Sequence, residues 1–128
     1  MSGGAHILRV LVVDDNEDAA HALATLVGLW GYEARAVHSG AAALAEAAEF
    51  RPDVVLCDLS MPGIDGYLVA EGLRRHATHA GTLLVAVTAF GDEGHRQRAA
   101  YAGFHAYLVK PVEEEGLHRL LEAHLADL

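Results

Sequence analysis

Five charged or hydroxyl side chains directly follow four apolar segments that lie far apart in the chain. In chain order, these are Asp14 and Asp15 after residues 7–13, Asp58 after residues 54–57, Thr88 after residues 83–87, and Lys110 after residues 106–109. If each segment is a parallel strand, these side chains share one edge of the sheet, where ligand sites form. Three carboxylates, a hydroxyl and an ammonium gathered there could hold a divalent metal ion and a phosphoryl group.

The three carboxylates need a cation between them, because like charges at close range repel one another. Mg²⁺ suits such a site, since this hard ion takes one or two carboxylates together with phosphate oxygens and water. One acidic side chain would be left to attack phosphorus and form a mixed anhydride. Lys110 and Thr88 could contact the oxygens of the transferred group, and catalysis of this kind is mainly positioning and charge stabilisation.

The rest of the chain alternates predicted strands and helices. The predicted strands are residues 7–13, 33–37, 54–57, 82–87 and 105–109, and the predicted helices are residues 16–30, 41–50, 67–75, 92–102 and 113–128. Gly31 is expected to end the first helix and Ser39 to cap the second, while Leu68 and Leu73 are predicted to be buried in the third. Five strands, each followed by a helix, predict a doubly wound, three-layer α/β fold.

Composition limits the class of protein. The 128 residues are enough for one domain, and 52% of them are hydrophobic, which is typical of a globular core. The formal charge of −9 argues against direct binding to nucleic acid or contact with an anionic membrane. One cysteine, no apolar run that could span a membrane and no signal-peptide pattern favour a cytoplasmic protein. Residues 1–6 are predicted to be a flexible segment and residues 7–128 the domain.

Four motifs in register resemble the receiver domain of two-component response regulators. They are VVDDN at 12–16, LCDLSMPGIDG at 56–66, VTA at 87–89 and VKP at 109–111. The resemblance covers residues 7–127. It implies a flavodoxin-like (βα)5 fold with strand order 2-1-3-4-5, an order that the strand pattern alone does not supply.

The resemblance implies a role for each acidic residue. Asp58 matches the phosphoacceptor, which takes a phosphoryl group from the phosphohistidine of a histidine kinase and also contributes to the metal site. In a hybrid kinase, a histidine phosphotransfer protein is the expected partner that receives the group. Asp15 matches a direct Mg²⁺ ligand, and Asp14 matches an acid that acts through metal-bound water. The backbone carbonyl of Ser60 matches a further ligand.

The same resemblance implies a switch. Lys110 matches the lysine that pairs with the phosphoryl group or with unmodified Asp58, and the Lys110–Pro111 peptide is expected to be cis. Thr88 and Tyr107 match the pair that moves on phosphorylation and remodels the face of helix 4, strand 5 and helix 5. A downstream protein partner is expected on that face, and a homodimer through it stays open. The chain would modify only its own Asp58, so it is not expected to be an enzyme acting on a separate substrate.

Two other functions remain open. An aspartyl-phosphate phosphatase or phosphotransferase would usually carry a second acid two residues after its nucleophile, whereas Ser60 occupies that position and cannot serve as an acid at neutral pH. A degenerate receiver could bind partners without phosphorylation, although the complete acidic and basic set argues against it. Two forms of receiver also stay open, a single-domain regulator and part of a hybrid sensor kinase.

Three further features of the sequence lead to expectations. Phe90, two residues after Thr88, either restricts the route of water to the phosphoryl group or packs on helix 4. Cys57 is expected to be a small core residue facing away from the site. Among the nine histidines, no convergent set of zinc ligands is visible, and surface positions are expected.

Overall fold

The computed structural model describes residues 6–128 and has the predicted alternation of strands and helices. The strands are β1 (Arg9–Val13), β2 (Glu33–Val37), β3 (Val54–Cys57), β4 (Leu83–Thr88) and β5 (Ala106–Val109). The helices are α1 (Glu17–Leu29), α2 (Gly40–Phe50), α3 (Gly66–Arg74), α4 (Glu93–Ala102) and α5 (Glu114–Ala126), with a 3₁₀ turn at Ala77–His79. Thr88 is therefore the last residue of a strand rather than the first of a loop.

All strand pairs are parallel, and the order across the sheet is β2-β1-β3-β4-β5. The strand order implied by the resemblance is confirmed. Val13 lies opposite both Val37 and Cys57, and Thr88 lies opposite Val109, so the strands end nearly level with one another. The residues that follow the strands consequently share one edge of the sheet.

Each face of the sheet has its own buried core. Leu11 and Val13 of β1 contribute to the core under α2, α3 and α4, whereas Val10 and Val12 contribute to the core under α1 and α5. This alternation explains why the inner strands are apolar at every position except Arg9 and Thr88 at two strand ends, since helices cover both faces. None of the helices in the described part of the chain is long and apolar enough to cross a membrane.

Side-chain caps set the start of most helices. Ser39 accepts a hydrogen bond from the backbone N–H of Ala42, as predicted, and Asn16, Asp65 and Asp92 cap α1, α3 and α4 in the same way. Gly31 directly follows Trp30, the C-cap of α1, and its φ of +94° is the left-handed conformation that commonly ends a helix.

One predicted core residue is wrong. Leu73 is buried, but Leu68 is 48% exposed. Tyr67, Val69 and Ala70 on either side of Leu68 fill the interior instead, so the helix turns Leu68 toward solvent. At the N-terminus, His6 forms a 2.9 Å contact from Nε2 to Asp53 Oδ2, while the rest of the predicted flexible segment, residues 1–5, lies outside the described residues.

Candidate functional site

Asp14 lies at the end of β1 with its side chain almost fully enclosed. The residue is 6% exposed. Its Oδ1 accepts a 3.0 Å hydrogen bond from the backbone N–H of Asn16, and its own N–H donates to Val37 O on β2. The neighbouring Asp15 is exposed. The two adjacent acids thus differ, one held in the pocket and the other facing solvent.

Asp58 occupies the matching position at the end of β3. Its N–H donates to Val13 O at 2.9 Å, which aligns it with Asp14 across the strand pair. Its Oδ1 accepts a 3.2 Å hydrogen bond from the N–H of Ser60. Gly66 lies directly behind it, because a Cβ at position 66 would come within 2.2 Å of the Asp58 carbonyl oxygen. The packing therefore requires glycine at this position.

Lys110 joins the buried Asp14 to the partly buried Asp58. Its ammonium lies 2.8 Å from Asp14 Oδ2 and 3.2 Å from Asp58 Oδ2, and its backbone N–H donates to Thr88 O. Partial burial by itself lowers the pKa of Lys110, but the hydrogen bond to Asp14 and the charge of Asp58 outweigh it, so the pKa lies above its ordinary value. The ammonium is therefore charged at neutral pH. The Lys110–Pro111 peptide is cis, as expected.

The three predicted metal-ligating carboxylates converge. Asp14, Asp15 and Asp58 each offer an oxygen, and these atoms all lie within 4.8 Å of one another. An all-oxygen, strongly anionic set is the chemistry that a hard divalent cation prefers. The residues present consequently fit Mg²⁺.

Thr88 and Tyr107 are linked through the backbone of Phe90. Thr88 is fully buried, and its Oγ1 accepts a 3.4 Å hydrogen bond from the Phe90 N–H. The Tyr107 hydroxyl donates to the Phe90 carbonyl oxygen at 2.6 Å. Partial burial raises the pKa of the Tyr107 hydroxyl, which keeps it protonated as a donor. Phe90 thus connects the two residues predicted to form the switch.

The Phe90 ring itself packs on α4. It stacks on His95 with ring centroids 4.2 Å apart, and it also lines a shallow pocket with Ser60. Packing on helix 4 is therefore confirmed, while the effect of the ring on water access stays a prediction. Cys57 is fully buried, and burial raises the pKa of its thiol, so it remains an unreactive core residue.

The structure adds one feature that the motifs did not indicate. A groove of about 450 Å³ runs along α1 and opens onto Asp14, Asp58 and Lys110. Apolar side chains line its outer wall, including Leu26 and the 79% exposed Leu29. The signal was present in the sequence, because the apolar positions of α1 cover more of its circumference than one buried face requires.

Known proteins are similar to this chain over nearly its whole length. Residues 10–122 match the family model described as the response regulator receiver domain. Protein PilH of Pseudomonas aeruginosa is 31% identical over 92% of this chain and 98% of its own length. Regulatory protein AtoC of Escherichia coli is 32% identical over 93% of this chain, which spans only 25% of AtoC.

A solved structure with the same fold carries a metal ion. The receiver domain of the sensor histidine kinase PA1611 from Pseudomonas aeruginosa has a TM-score of 0.86 and is 27% identical, covering 94% of this chain and 99% of that one. That structure has a magnesium ion coordinated in its active-site cleft. The family match, the strand order and the convergent residues agree, and the chain belongs to the response regulator receiver domains of two-component signalling.

Proposed function

We propose that this domain accepts a phosphoryl group on Asp58 from the phosphohistidine of a histidine kinase or a histidine phosphotransfer protein, in a Mg²⁺-dependent reaction. The observation that carries the proposal is the Lys110 ammonium, which bridges Asp14 and Asp58 inside a cluster of three carboxylates. A carboxylate becomes a phosphoryl acceptor only where positive charge offsets its own. Lys110 supplies part of that charge, and its hydrogen bond to Asp58 holds the acceptor in place.

Each residue then has a defined part. An oxygen of Asp58 attacks phosphorus, the bond between phosphorus and the imidazole nitrogen breaks, and an acyl phosphate forms on Asp58. Asp14, Asp15, Asp58 and the Ser60 carbonyl would hold Mg²⁺, which when bound neutralises charge on the phosphoryl oxygens. Lys110 can follow the new charge, because its ammonium is already within hydrogen-bond distance of Asp58.

The groove along α1 supports a protein as the phosphoryl donor. It runs from Asp58 along α1, with the apolar side chains of Leu26 and Leu29 on its wall. Exposed apolar surface next to a reactive site is typical of protein contacts. A donor that packs there would bring its phosphohistidine to the acceptor without competing for the carboxylate pocket.

Output is proposed through the face of α4, β5 and α5. Thr88 lies in the buried site, Tyr107 lies on β5, and Phe90 connects them by two hydrogen bonds. A shift of the Thr88 hydroxyl toward a phosphoryl group would break the bond from Phe90 and release the segment that holds Tyr107. A downstream protein would sense this change on the surface, and a homodimer through the same face is the alternative output.

The deciding experiment is incubation with acetyl phosphate and Mg²⁺, followed by intact-mass measurement. We expect one phosphoryl adduct, lost in Asp58→Asn, lost on alkaline treatment and absent when Mg²⁺ is chelated. Asp18→Asn is the matched control, since Asp18 is an exposed acid in the first turn of α1.

Two results would contradict the proposal. Continuous hydrolysis of acetyl phosphate without an adduct would favour a phosphatase or phosphotransferase with an aspartyl-phosphate intermediate. The absence of any reaction, with the protein folded and Mg²⁺ bound, would favour a receiver that binds partners independently of phosphorylation.

A further inference from the structure

Three potential metal ligands meet beside the phosphorylation site without belonging to it. Glu17 and His21 lie one turn apart on α1, so they share a face of the helix. His38 directly follows β2, whose end is level with that of β1. Glu17, His21 and His38 each offer a ligand atom, and these atoms all lie within 4.8 Å of one another. The rings of His21 and His38 are 5.1 Å apart between centroids.

The spacing suits one ion after small side-chain adjustments. A tetrahedral ion with metal–nitrogen bonds of about 2.0–2.1 Å places its ligand atoms about 3.4 Å apart. Glu17 and His21 are exposed, so rotation of their side chains can close the remaining distance without disturbing the core. His38 is half-buried.

The position of His38 is set by an independent contact. Its Nδ1 lies 3.4 Å from the backbone carbonyl oxygen of Asp14. When Nδ1–H donates to that oxygen, Nε2 carries the free lone pair that a metal ion requires. A ligating histidine commonly donates its other ring N–H to a carbonyl or carboxylate in this way, which fixes both tautomer and orientation. The Asp14 carbonyl therefore serves as an outer partner of the cluster.

The donor set differs in kind from the carboxylate pocket. Two imidazoles and one carboxylate favour Zn²⁺ and related transition-metal ions, whereas Asp14, Asp15 and Asp58 supply only oxygen, which favours Mg²⁺. Two cations can therefore be accommodated side by side and be distinguished by ligand preference.

We propose that Glu17, His21 and His38 form a binding site for a Zn²⁺-class divalent ion, separate from the Mg²⁺ pocket. Three protein ligands leave a fourth tetrahedral position for water or for a ligand from another molecule. Through the bond between His38 and the Asp14 carbonyl, the ion lies next to the backbone of the phosphorylation site. The proposal does not depend on phosphorylation of Asp58.

The site corrects the expectation that the histidines lack a convergent set. The spacing of Glu17 and His21 is visible in the sequence, but the third ligand is not. His38 reaches the cluster only because β2 lies beside β1 at the edge of the sheet. Pairs such as His76 and His79, which are close in sequence, lie elsewhere.

The test is calorimetric titration of the full chain with Zn²⁺ at neutral pH, with Mg²⁺ in excess to occupy the carboxylate pocket. We expect one Zn²⁺ per chain. His21→Gln and His38→Gln should each weaken binding by at least about tenfold, as the loss of even an outer partner does. The matched control is His76→Gln, an exposed histidine on the far side of the domain, which should leave the affinity unchanged.

Three results would overturn the proposal. They are no Zn²⁺ binding, equal weakening by His76→Gln, and binding that is lost in Asp15→Asn but retained in His21→Gln. His21 is exposed, so His21→Gln decides the question even if His38→Gln does not fold. Asp58→Asn should retain Zn²⁺ binding. A failure of the Zn²⁺ proposal is therefore distinguishable from a failure of the phosphorylation proposal.

Discussion

At the scale of single residues, Lys110 determines how two enclosed carboxylates coexist. Its ammonium contacts both Asp14 and Asp58, and neither acid has another cationic side chain within salt-bridge distance among the described residues. Hydrogen bonds to charged groups stabilise more than neutral ones, and removing one partner leaves a charge uncompensated. Lys110 thus compensates the charge of both carboxylates, including the proposed phosphoacceptor Asp58.

Replacement of Lys110 by Met should lower the free energy of unfolding by about 1–3 kcal/mol at neutral pH in EDTA. The folded-state pKa of Lys110 is raised, so its contribution is fully present below about pH 10.4 and is lost as the pH rises through the folded value. Urea denaturation of the unmodified chain and of Lys110→Met should therefore show a difference in the free energy of unfolding that is constant near neutrality. That difference should shrink at strongly alkaline pH. A difference independent of pH throughout would show that Lys110 stabilises by packing alone.

Phe90 carries the second prediction at this scale. Its ring lines the pocket that contains Ser60, two residues beyond Asp58. If it restricts the approach of water, Phe90→Ala should speed loss of the phosphoryl group in Mg²⁺ several-fold, as followed by intact mass. Tyr101→Ala is a matched control, because Tyr101 is an aromatic residue on α4 that is 86% exposed. Decay that is unchanged or slower in Phe90→Ala would leave the ring with a packing role only.

At the scale of elements, the loop between β3 and α3 holds Asp58 from behind. Asp65 caps α3, and Gly66 begins it while donating its N–H to Leu59 O at 3.0 Å. Gly63 adopts a φ of +73°, which glycine accepts without strain. The turn-rich motif at 61–66 thus brings the start of α3 against the backbone of Asp58.

Gly66→Ala should destabilise the domain by about 1–3 kcal/mol, because the new methyl group would overlap the Asp58 carbonyl oxygen and the Leu59 backbone. The displaced Asp58 should also accept phosphoryl groups more slowly. Gly28→Ala in α1 is the control, since a Cβ there meets nothing within 4 Å and alanine favours the helix. Thermal melts and acetyl phosphate labelling test both parts, and equal melting temperatures for the two variants would contradict the packing argument.

At the scale of the whole molecule, the chain is acidic, and part of its negative charge is concentrated at the candidate metal site. The formal charge is −9, and three of the acids converge at one edge of the sheet. An ion that binds there only in the folded state stabilises the entire domain by mass action. The relatives show that such a domain occurs with and without additional chain, since it spans 98% of PilH but 25% of AtoC.

Mg²⁺ at a hundred times its dissociation constant should raise the free energy of unfolding by about 2.7 kcal/mol. The double variant Asp14→Asn/Asp15→Asn should lose this gain, since it removes two of the three carboxylate ligands. Sodium chloride at equal ionic strength separates site binding from general screening of the acidic surface. An equal increase in melting temperature with sodium chloride, or an undiminished one in the double variant, would argue against a specific site.

The sequence by itself determined the elements and the residue types of the site. Apolar periodicity, caps such as Ser39 and the stop at Gly31 are local signals, and they located all five strands and all five α-helices to within two residues of their observed ends. The four motifs identified Asp14, Asp15, Asp58, Thr88 and Lys110, and their resemblance to receivers supplied the strand order. The roles of these residues stay predictions.

Only the tertiary structure decided which side chains meet. Lys110 contacts Asp14, 96 residues away in the chain, because β5 and β1 end at the same edge of one sheet. The same edge brings His38 to Glu17 and His21, whereas the packing of α3 turns Leu68 outward against its local pattern. Hydrophobic periodicity indicates the secondary structure of a segment. Distances between segments depend on strand order and helix packing, which no local pattern contains.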